Sequence, residues 1–178
     1  MSAALTGRTI RLTPLRDADV EPLFEWINDR ELVLQSAPFR PVDEAGHRAW
    51  FDEVRKRADV AIFAIRPLDG DRLIGTCQLL AIDTRHRTAE LQIRIGEEDD
   101  RGRGVGTEAV RLLVWHAFRD LDLRRVQLHA FATNQAAIRA YEKAGFRREG
   151  VLREGALIDE RRLDIVVMGI LRSEVSDE

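Results

Sequence analysis

Arg101-Gly102-Arg103-Gly104-Val105-Gly106-Thr107 follows a strand-like run, Ala89-Glu90-Leu91-Gln92-Ile93-Arg94-Ile95, and opens a helix-like one from Glu108 to Asp120. Glycines at such a junction leave backbone N–H groups bare and let a ligand approach closely. The N-terminus of the helix behind them carries partial positive charge, so loop and helix together make an anion site, most often for phosphate. A glycine-rich loop alone is a weak signal, because many loops need glycine for positive φ. Two rival phosphate motifs do not fit. A dinucleotide fingerprint requires a third glycine where Thr107 stands, within a long alternating βαβ chain, and a P-loop requires Gly-Lys-Ser/Thr.

Around this loop the pattern is that of one mixed α/β domain over residues 1–172, with a polar, frayed tail from Ser173 to Glu178. Thr9-Ile10-Arg11-Leu12 alternates as a half-buried strand and Pro14 ends it. Asp17 is placed to cap a helix running to about Ile27, with Val20, Leu23, Phe24 and Ile27 at helical spacing. Residues 28–41 read as loop or short helix, and Asp43 or Glu44 begins another helix in which Ala49, Trp50, Val54 and His47 share a face. Strands follow at Val60–Arg66, Leu73–Ile82 and Thr88–Ile95, separated by the turns Pro67–Asp71 and Asp83–Arg87. A helix from Val105 to Asp120 carries Val110, Leu113, Val114 and Ala117 along one stripe. A strand at Arg125–Phe131, a helix at Asn134–Ala144 and paired strands at Phe146–Leu157 and Arg161–Leu171 complete the chain. No repeat, linker or low-complexity segment interrupts the order.

Composition excludes several classes. The chain has 178 residues, 44% hydrophobic and 33% charged, enough for a real core and unlike a disordered chain. A formal net charge of -3 gives no global electrostatic reason to expect nucleic acid. Cys77 is the only cysteine, so an intrachain disulfide or a cysteine-based zinc site is excluded. His47, His86, His116 and His129 fall on separate elements and do not form a metal set. The first eight residues lack a signal peptide's apolar core, and no apolar run is long enough to span a bilayer. The expectation is a cytoplasmic protein without membrane, nucleic-acid or metal partners.

A second cluster lies downstream. Asn134 starts a helix and Tyr141 follows seven residues on, almost two turns, so both side chains point the same way about 10 Å apart along the axis. Gly145-Phe146 supplies the expected C-terminal stop. An Asn cap, a core Tyr and a Gly C-cap would explain these residues taken alone.

Taken together, the two clusters resemble the GCN5-related N-acetyltransferase (GNAT) superfamily. Arg101-x-x-Gly104-x-Gly106 is similar to its acetyl-CoA pyrophosphate loop, Q/R-x-x-G-x-G/A. Asn134-x-x-Ala137-x-x-x-Tyr141-x-x-x-Gly145-Phe146 is similar to the second half of its cofactor site. Glu149–Arg153, Asp164–Met168, Trp26–Asp29 and His47-x-x-Trp50-Phe51 look like the ribosomal-protein alanine and spermidine N-acetyltransferase branch. The likeness covers essentially the whole chain.

The resemblance implies a mostly antiparallel central sheet of about seven strands flanked by about four helices, splayed between the fourth and fifth strands. It implies acetyl transfer from acetyl-CoA, as co-substrate, to a primary amine in a ternary complex. Backbone N–H groups of Gly102, Arg103, Gly104, Val105, Gly106 and Thr107 would take the pyrophosphate, and Arg101 or Arg103 would add charge or point to solvent. Ile93, Arg94 and Ile95 would pair with the pantetheine arm, with the Ile95 N–H polarising the thioester carbonyl. Asn134 and Ala137 complete the cofactor site, and Asn134 would hold cofactor or a bound water besides capping its helix.

Two proton transfers remain. An alkyl amine of pKa near ~10 arrives protonated, and the departing thiolate benefits from a proton. Tyr141 is the candidate general acid. Glu90 is the candidate general base, acting directly or through water, although Glu90, Gln92 and Arg94 alternating on one face is also what a solvent-facing strand shows. A β-bulge in that strand would change which side chain faces the cleft. His129, on the strand beside the cleft, is placed either to touch substrate or to be packed or solvated. Trp26 and Trp50 either line the acceptor pocket or, as large apolar residues at helical spacing, belong to the core. Acceptors compatible with the family are a protein N-terminus, a polyamine, an amino sugar or an aminoglycoside. Their pocket would be built from about residues 28–41, 83–88 and 153–162, with Asp29, Glu31, Asp83, Glu154, Asp159 and Glu160 available for a cation. A non-catalytic acyl-CoA sensor and a transferase for longer acyl chains are the alternatives; the oligomeric state is open, a homodimer being one option that the resemblance implies.

Overall fold

A computed structural model describes residues 4–175. Its strands are β1 Leu5–Thr6, β2 Ile10–Thr13, β3 Ala61–Pro67, β4 Gly75–Asp83, β5 Thr88–Ile95, β6 Arg125–Phe131, β7 Arg147–Ile158 and β8 Arg161–Leu171. They form one sheet in the order β1-β2-β3-β4-β5-β6-β8-β7. The helices are α1 Val20–Asn28, α2 Arg30–Leu34, α3 Glu44–Val54, α4 Val105–Arg119 and α5 Gln135–Lys143. The two-residue β1 is an addition to the expected order, too short for a periodic signal, while the five-residue α2 is the short helix that residues 28–41 allowed. No helix among the described residues is long and apolar enough to cross a membrane.

Period-two alternation splits the core between the two faces of the sheet. Phe63, Ile65, Leu79 and Leu91 pack with Val110, Leu113 and Ala117 of α4 on one face. Ala64 and Ile62 turn to the other, with Leu23, Trp26, Phe51 and Val54 of α1 and α3. The stripe on α3 is His47, Phe51 and Val54, while Ala49 and Trp50 lie outside it. A helix presents one face at i, i+4 and i+7, and Phe51 rather than Trp50 holds that register.

α1 is anchored by a buried ion pair. Arg66 on β3 and Asp19 have side chains only 3% exposed, and Arg66 Nη2 lies 2.7 Å from each Asp19 oxygen. Arg66 Nε donates to Thr13 Oγ1 at 3.1 Å and its Nη1 to the Asp71 carbonyl at 2.7 Å, so the cation is matched on every side. The expected cap is therefore displaced: Asp19 accepts the Arg16 N–H at 2.8 Å, and Asp17 pairs with Arg55 at 3.0 Å. Residues 172–174 turn back rather than fray, with Glu174 accepting the Leu171 N–H and pairing with Arg147. Residues 176–178 lie outside the described residues.

Every neighbouring pair in the sheet is antiparallel except β5–β6. Those two strands pair only at Thr88–Arg125, Ala89–Val126 and Glu90–Gln127, then part. The Gly96 N–H donates to the Ile74 carbonyl at 2.9 Å, so by alternation the N–H groups of residues 92 and 94 face β4. Those of Ile93 and Ile95 face the opening between β5 and β6. The splay thus leaves a row of bare backbone donors leading to the glycine loop. The irregularity sits on β4, between Leu80 and Asp83, with Ala81 at φ 47. β5 keeps its alternation, so no bulge there redirects Glu90.

Candidate active site

The glycine loop has the conformation its sequence demands. Gly102 and Gly104 have φ of +75 and +83, the left-handed region where a side chain is strained. Gly104 caps α4, whose first-turn N–H groups have no partner within the helix. Gly106 has no positive φ, and a Cβ there would meet no atom within 4 Å. Nothing in the fold accounts for that glycine, whereas a pyrophosphate seated on the bare N–H groups does. The residues present therefore fit the phosphates of acetyl-CoA.

Around the loop, side chains brace rather than bind. The Arg101 guanidinium folds back onto the end of β5, donating to the Gly96 carbonyl at 2.8 Å and the Ile95 carbonyl at 3.3 Å. It thus braces the loop against the end of β5 while still bordering the smaller cleft. Arg72 grips Asp100 through two bonds of 2.7 and 2.9 Å, and Trp26 Nε1 donates to Glu97 at 3.0 Å. At the start of α4, burial alone would raise the Glu108 pKa, but hydrogen bonds from Thr9 and the Arg8 and Ile10 N–H groups outweigh it and hold the carboxyl below its usual value.

Two clefts meet along β5. One, of about 360 Å³, runs past Ile95, Arg101, Gly102, Gly104, Gly106, Thr107, Asn134, Ala137, Arg139 and Lys143. Arg103 is exposed and Val105 half-buried, and neither lines it, so any part they take is through the backbone. The other, of about 660 Å³, lies over the face that carries α1 and α3, among Trp26, Ile27, Trp50, Thr76, Gln78, Glu90 and Gln92. That volume suits a small molecule. Ser36, Ile93, Arg94, His129, Ala130, Phe131 and Tyr141 border both.

Tyr141 stands at this junction, 7% exposed, its ring 6.1 Å from that of Phe146. Burial pushes its phenol up to about 12, so the hydroxyl keeps its proton throughout the neutral range. Asn134 caps α5 by accepting the Ala137 N–H at 3.2 Å, as expected. Its other amide atom donates to the Gln35 carbonyl at 3.2 Å, tying the end of α2 to α5 across the opening of the splay.

Glu90 has a partner that local sequence patterns do not reveal. His129 Nδ1 lies 3.4 Å from Glu90 Oε1, where β5 and β6 begin to part, two residues past Gln127 of the last pair. His129 is thus exposed and lines both clefts rather than packing in the core, as its place on the strand beside the cleft allowed. Trp50, 42% exposed, lines the larger cleft instead of the core, while Trp26 is buried as expected and also borders that cleft. Of the segments expected to form the acceptor pocket, Ser36 and Ala37 reach it, but residues 83–88 and 153–162 do not. None of Asp29, Glu31, Asp83, Glu154, Asp159 or Glu160 lines either cleft. Several are committed elsewhere: Asp29 caps α2, Asp83 holds His86, and Asp159 pairs with Arg30 at 2.6 Å.

Comparison with known proteins agrees with this geometry. Residues 9–147 match the acetyltransferase (GNAT) domain family. The chain is 33% identical over 180 residues to a protein named as a probable N-acetyltransferase, YjcK of Bacillus subtilis, covering 96% of this chain and 98% of that one. It is 36% identical over 102 residues to the spermidine N(1)-acetyltransferase of Vibrio cholerae, covering 57% of this chain and 58% of the relative. The crystal structure of spermidine N-acetyltransferase from Vibrio cholerae in complex with CoA and spermine superposes with a TM-score of 0.85 at 26% identity, over 93% of this chain and 96% of that one. A glycine loop shaped for pyrophosphate, a splayed sheet and a family match over most of the chain converge: the protein belongs to the GNAT family and is an acetyl-CoA-dependent N-acetyltransferase.

Proposed function

We propose that the protein acetylates a primary amine seated in the larger cleft, by direct attack on acetyl-CoA held in the smaller one. The observation that carries this reading is the junction: Tyr141, Ile93 and the Glu90–His129 pair all stand where the two clefts meet or beside it. Pyrophosphate on the loop N–H groups would anchor the thioester end of the co-substrate toward β5 and the splay. Of the two bare donors on β5, Ile93 borders both clefts while Ile95 borders only the phosphate side. The Ile93 N–H is therefore the better oxyanion donor, in place of the Ile95 N–H.

The proton steps divide between two groups. Glu90, with His129 beside it, takes the proton of the incoming ammonium, directly or through a water. Tyr141 delivers its proton to the CoA sulfur as the carbon–sulfur bond breaks. A partly exposed carboxylate and a nearly buried phenol are held in different environments, as an acid and a base acting in one site require. The exposed edge strand β7, with Val151, Leu152 and Leu157 outward, supports a homodimer, which light scattering of the purified protein tests.

The test of function is product detection by mass spectrometry across amines, amino acids and N-terminal peptides, with wild type, Glu90→Gln and His129→Gln. Acetylated product that falls sharply in both variants supports the reading. CoA binding with no turnover on any amine would favour an acyl-CoA sensor, and faster turnover of propionyl- or succinyl-CoA would identify a longer acyl donor.

A further inference from the structure

One charge in the larger cleft has no counterpart. Glu90 faces His129 at 3.4 Å, but the Arg94 guanidinium makes no hydrogen bond or ion pair among the described residues. It is half-buried, it borders both clefts, and none of its nitrogens is sealed off in the interior. Burial lowers its pKa, because the charged form is held partly out of water with nothing to replace the lost hydration. A guanidinium carries five donors in a planar fork that matches a carboxylate or phosphate, and an uncompensated one in a cleft wall is costly. The neighbours across the strand pair are Thr76 and, further along, Gln78, neither of them anionic.

The face on which Arg94 stands also matters. β5 alternates without a bulge, so Arg94 shares a face with Gln92 and Glu90, while Ile93 and Ile95 pack toward the core under α4. The phosphate loop belongs to α4, and the acceptor cleft to the face bearing Trp26 and Trp50. Glu90 and Arg94 are four residues apart on one strand face, roughly 13 Å between their Cα atoms. One end of the cleft can take an ammonium proton and the other presents a bare cation.

We propose that the acceptor is a primary amine that also carries an anionic oxygen group, carboxylate or phosphate, and that Arg94 recognises that group. This rests on the reading that the larger cleft binds the amine. It deepens that reading by naming the substrate class, and it sets this cleft against a polycation, whose second ammonium would face Arg94 with no carboxylate lining the cleft except Glu90.

The experiment has two arms. In the first, glycine, β-alanine, 4-aminobutanoate and aspartate are compared with their amides, with O-phosphoethanolamine and with spermidine as acceptors for acetyl-CoA. The expected result is a kcat/KM about 10- to 100-fold higher for one carboxylate or for the phosphate than for its neutral partner, as one charge-assisted pair is worth. That ratio should collapse in Arg94→Gln and partly return in Arg94→Lys. Carboxylate and phosphate arms distinguish the two sources of the anion. In the second arm, which needs no turnover, the N-acetylated forms of the same acids are titrated against wild type and Arg94→Gln in the presence of CoA, reading thermal stabilisation. Stabilisation of wild type alone supports the proposal even if no amine turns over. Three results overturn it: spermidine or the amides preferred by wild type, an unchanged ratio in Arg94→Gln, or no anion-dependent stabilisation of wild type. A loss confined to CoA affinity in Arg94→Gln would assign the arginine to the co-substrate and also overturn it.

Discussion

Gly106→Val separates a ligand-imposed glycine from a fold-imposed one. Gly106 lies in the first turn of α4 with no positive φ and no atom within 4 Å of a built Cβ. Valine there meets no clash, and replacing glycine in a helix gains on the order of a few tenths of a kcal/mol in propensity. The folded state is expected to melt at or slightly above the wild-type temperature. Binding should respond in the opposite sense. On the phosphate-loop reading, a valine side chain would compete with phosphate for the open space beside the first turn of α4, and losing two hydrogen bonds to phosphate costs about 3–6 kcal/mol at roughly 1.5–3 each. Each 1.4 kcal/mol is about tenfold, so the CoA dissociation constant should rise about 10²- to 10⁴-fold. Calorimetric titration with CoA gives the constant, and circular dichroism gives the melt. At ligand near a hundredfold excess over Kd, wild type should gain about 2.7 kcal/mol of stability that the variant lacks. A folded Gly106→Val that binds CoA within threefold of wild type would refute the phosphate-loop assignment. Gly104→Val is a poorer probe, because φ +83 makes valine strained there whatever the ligand does.

Tyr141→Phe removes a hydroxyl while keeping a ring that packs on Phe146, so the melt should hold while kcat falls about 10²-fold, the lower end for a positioned acid since a phenol near 12 is a weak one. Wild-type kcat measured by CoA thiol release should show no alkaline loss at the ordinary phenol pKa of about 10; a limb there that disappears in Tyr141→Phe would contradict the raised value. Asp19→Ala leaves Arg66 buried without its counter-ion and should cost about 3–5 kcal/mol in urea unfolding; a loss under 1 kcal/mol would mean the pair is solvated. Glu108 has a depressed folded-state pKa, so its contribution is full above the unfolded carboxylate value and is lost as pH falls through the folded one. Glu108→Gln should therefore melt below wild type at neutral pH, with the gap closing as pH falls below the ordinary carboxylate range. A gap independent of pH would place the effect in packing instead.

Most of the candidate site was legible because its signals are local. Glycine at 102, 104 and 106 before a helix, Asn134 as a cap and Tyr141 two turns on are contiguous patterns set by backbone geometry, and the structure keeps their boundaries to within a residue. β5 and β6 are found where alternation puts them. Misreadings gather where one residue in a helical register decides inward from outward, as at Trp50 against Phe51 on α3, or where two nearby acids compete for one role, as at Asp17 against Asp19.

The sequence by itself determined the order of all elements but the shortest, the glycine loop before α4, the phenol two turns along the helix that Asn134 caps and the family to which they point, because caps, turns and periodicity are encoded within a few residues. Tertiary structure alone decided who meets whom. Glu90 finds His129 because β5 and β6 run parallel for three residue pairs and then part. Arg101 turns inward because the strand ahead of it ends in free carbonyls. Trp50 joins the cleft because Phe51 takes the core position beside it. None of the acids expected in the acceptor pocket reaches it, Asp29, Asp83 and Asp159 being spent on a cap and surface pairs, so Arg94 stands bare in its wall. Such pairings depend on where distant segments pack, and no spacing along the chain records them.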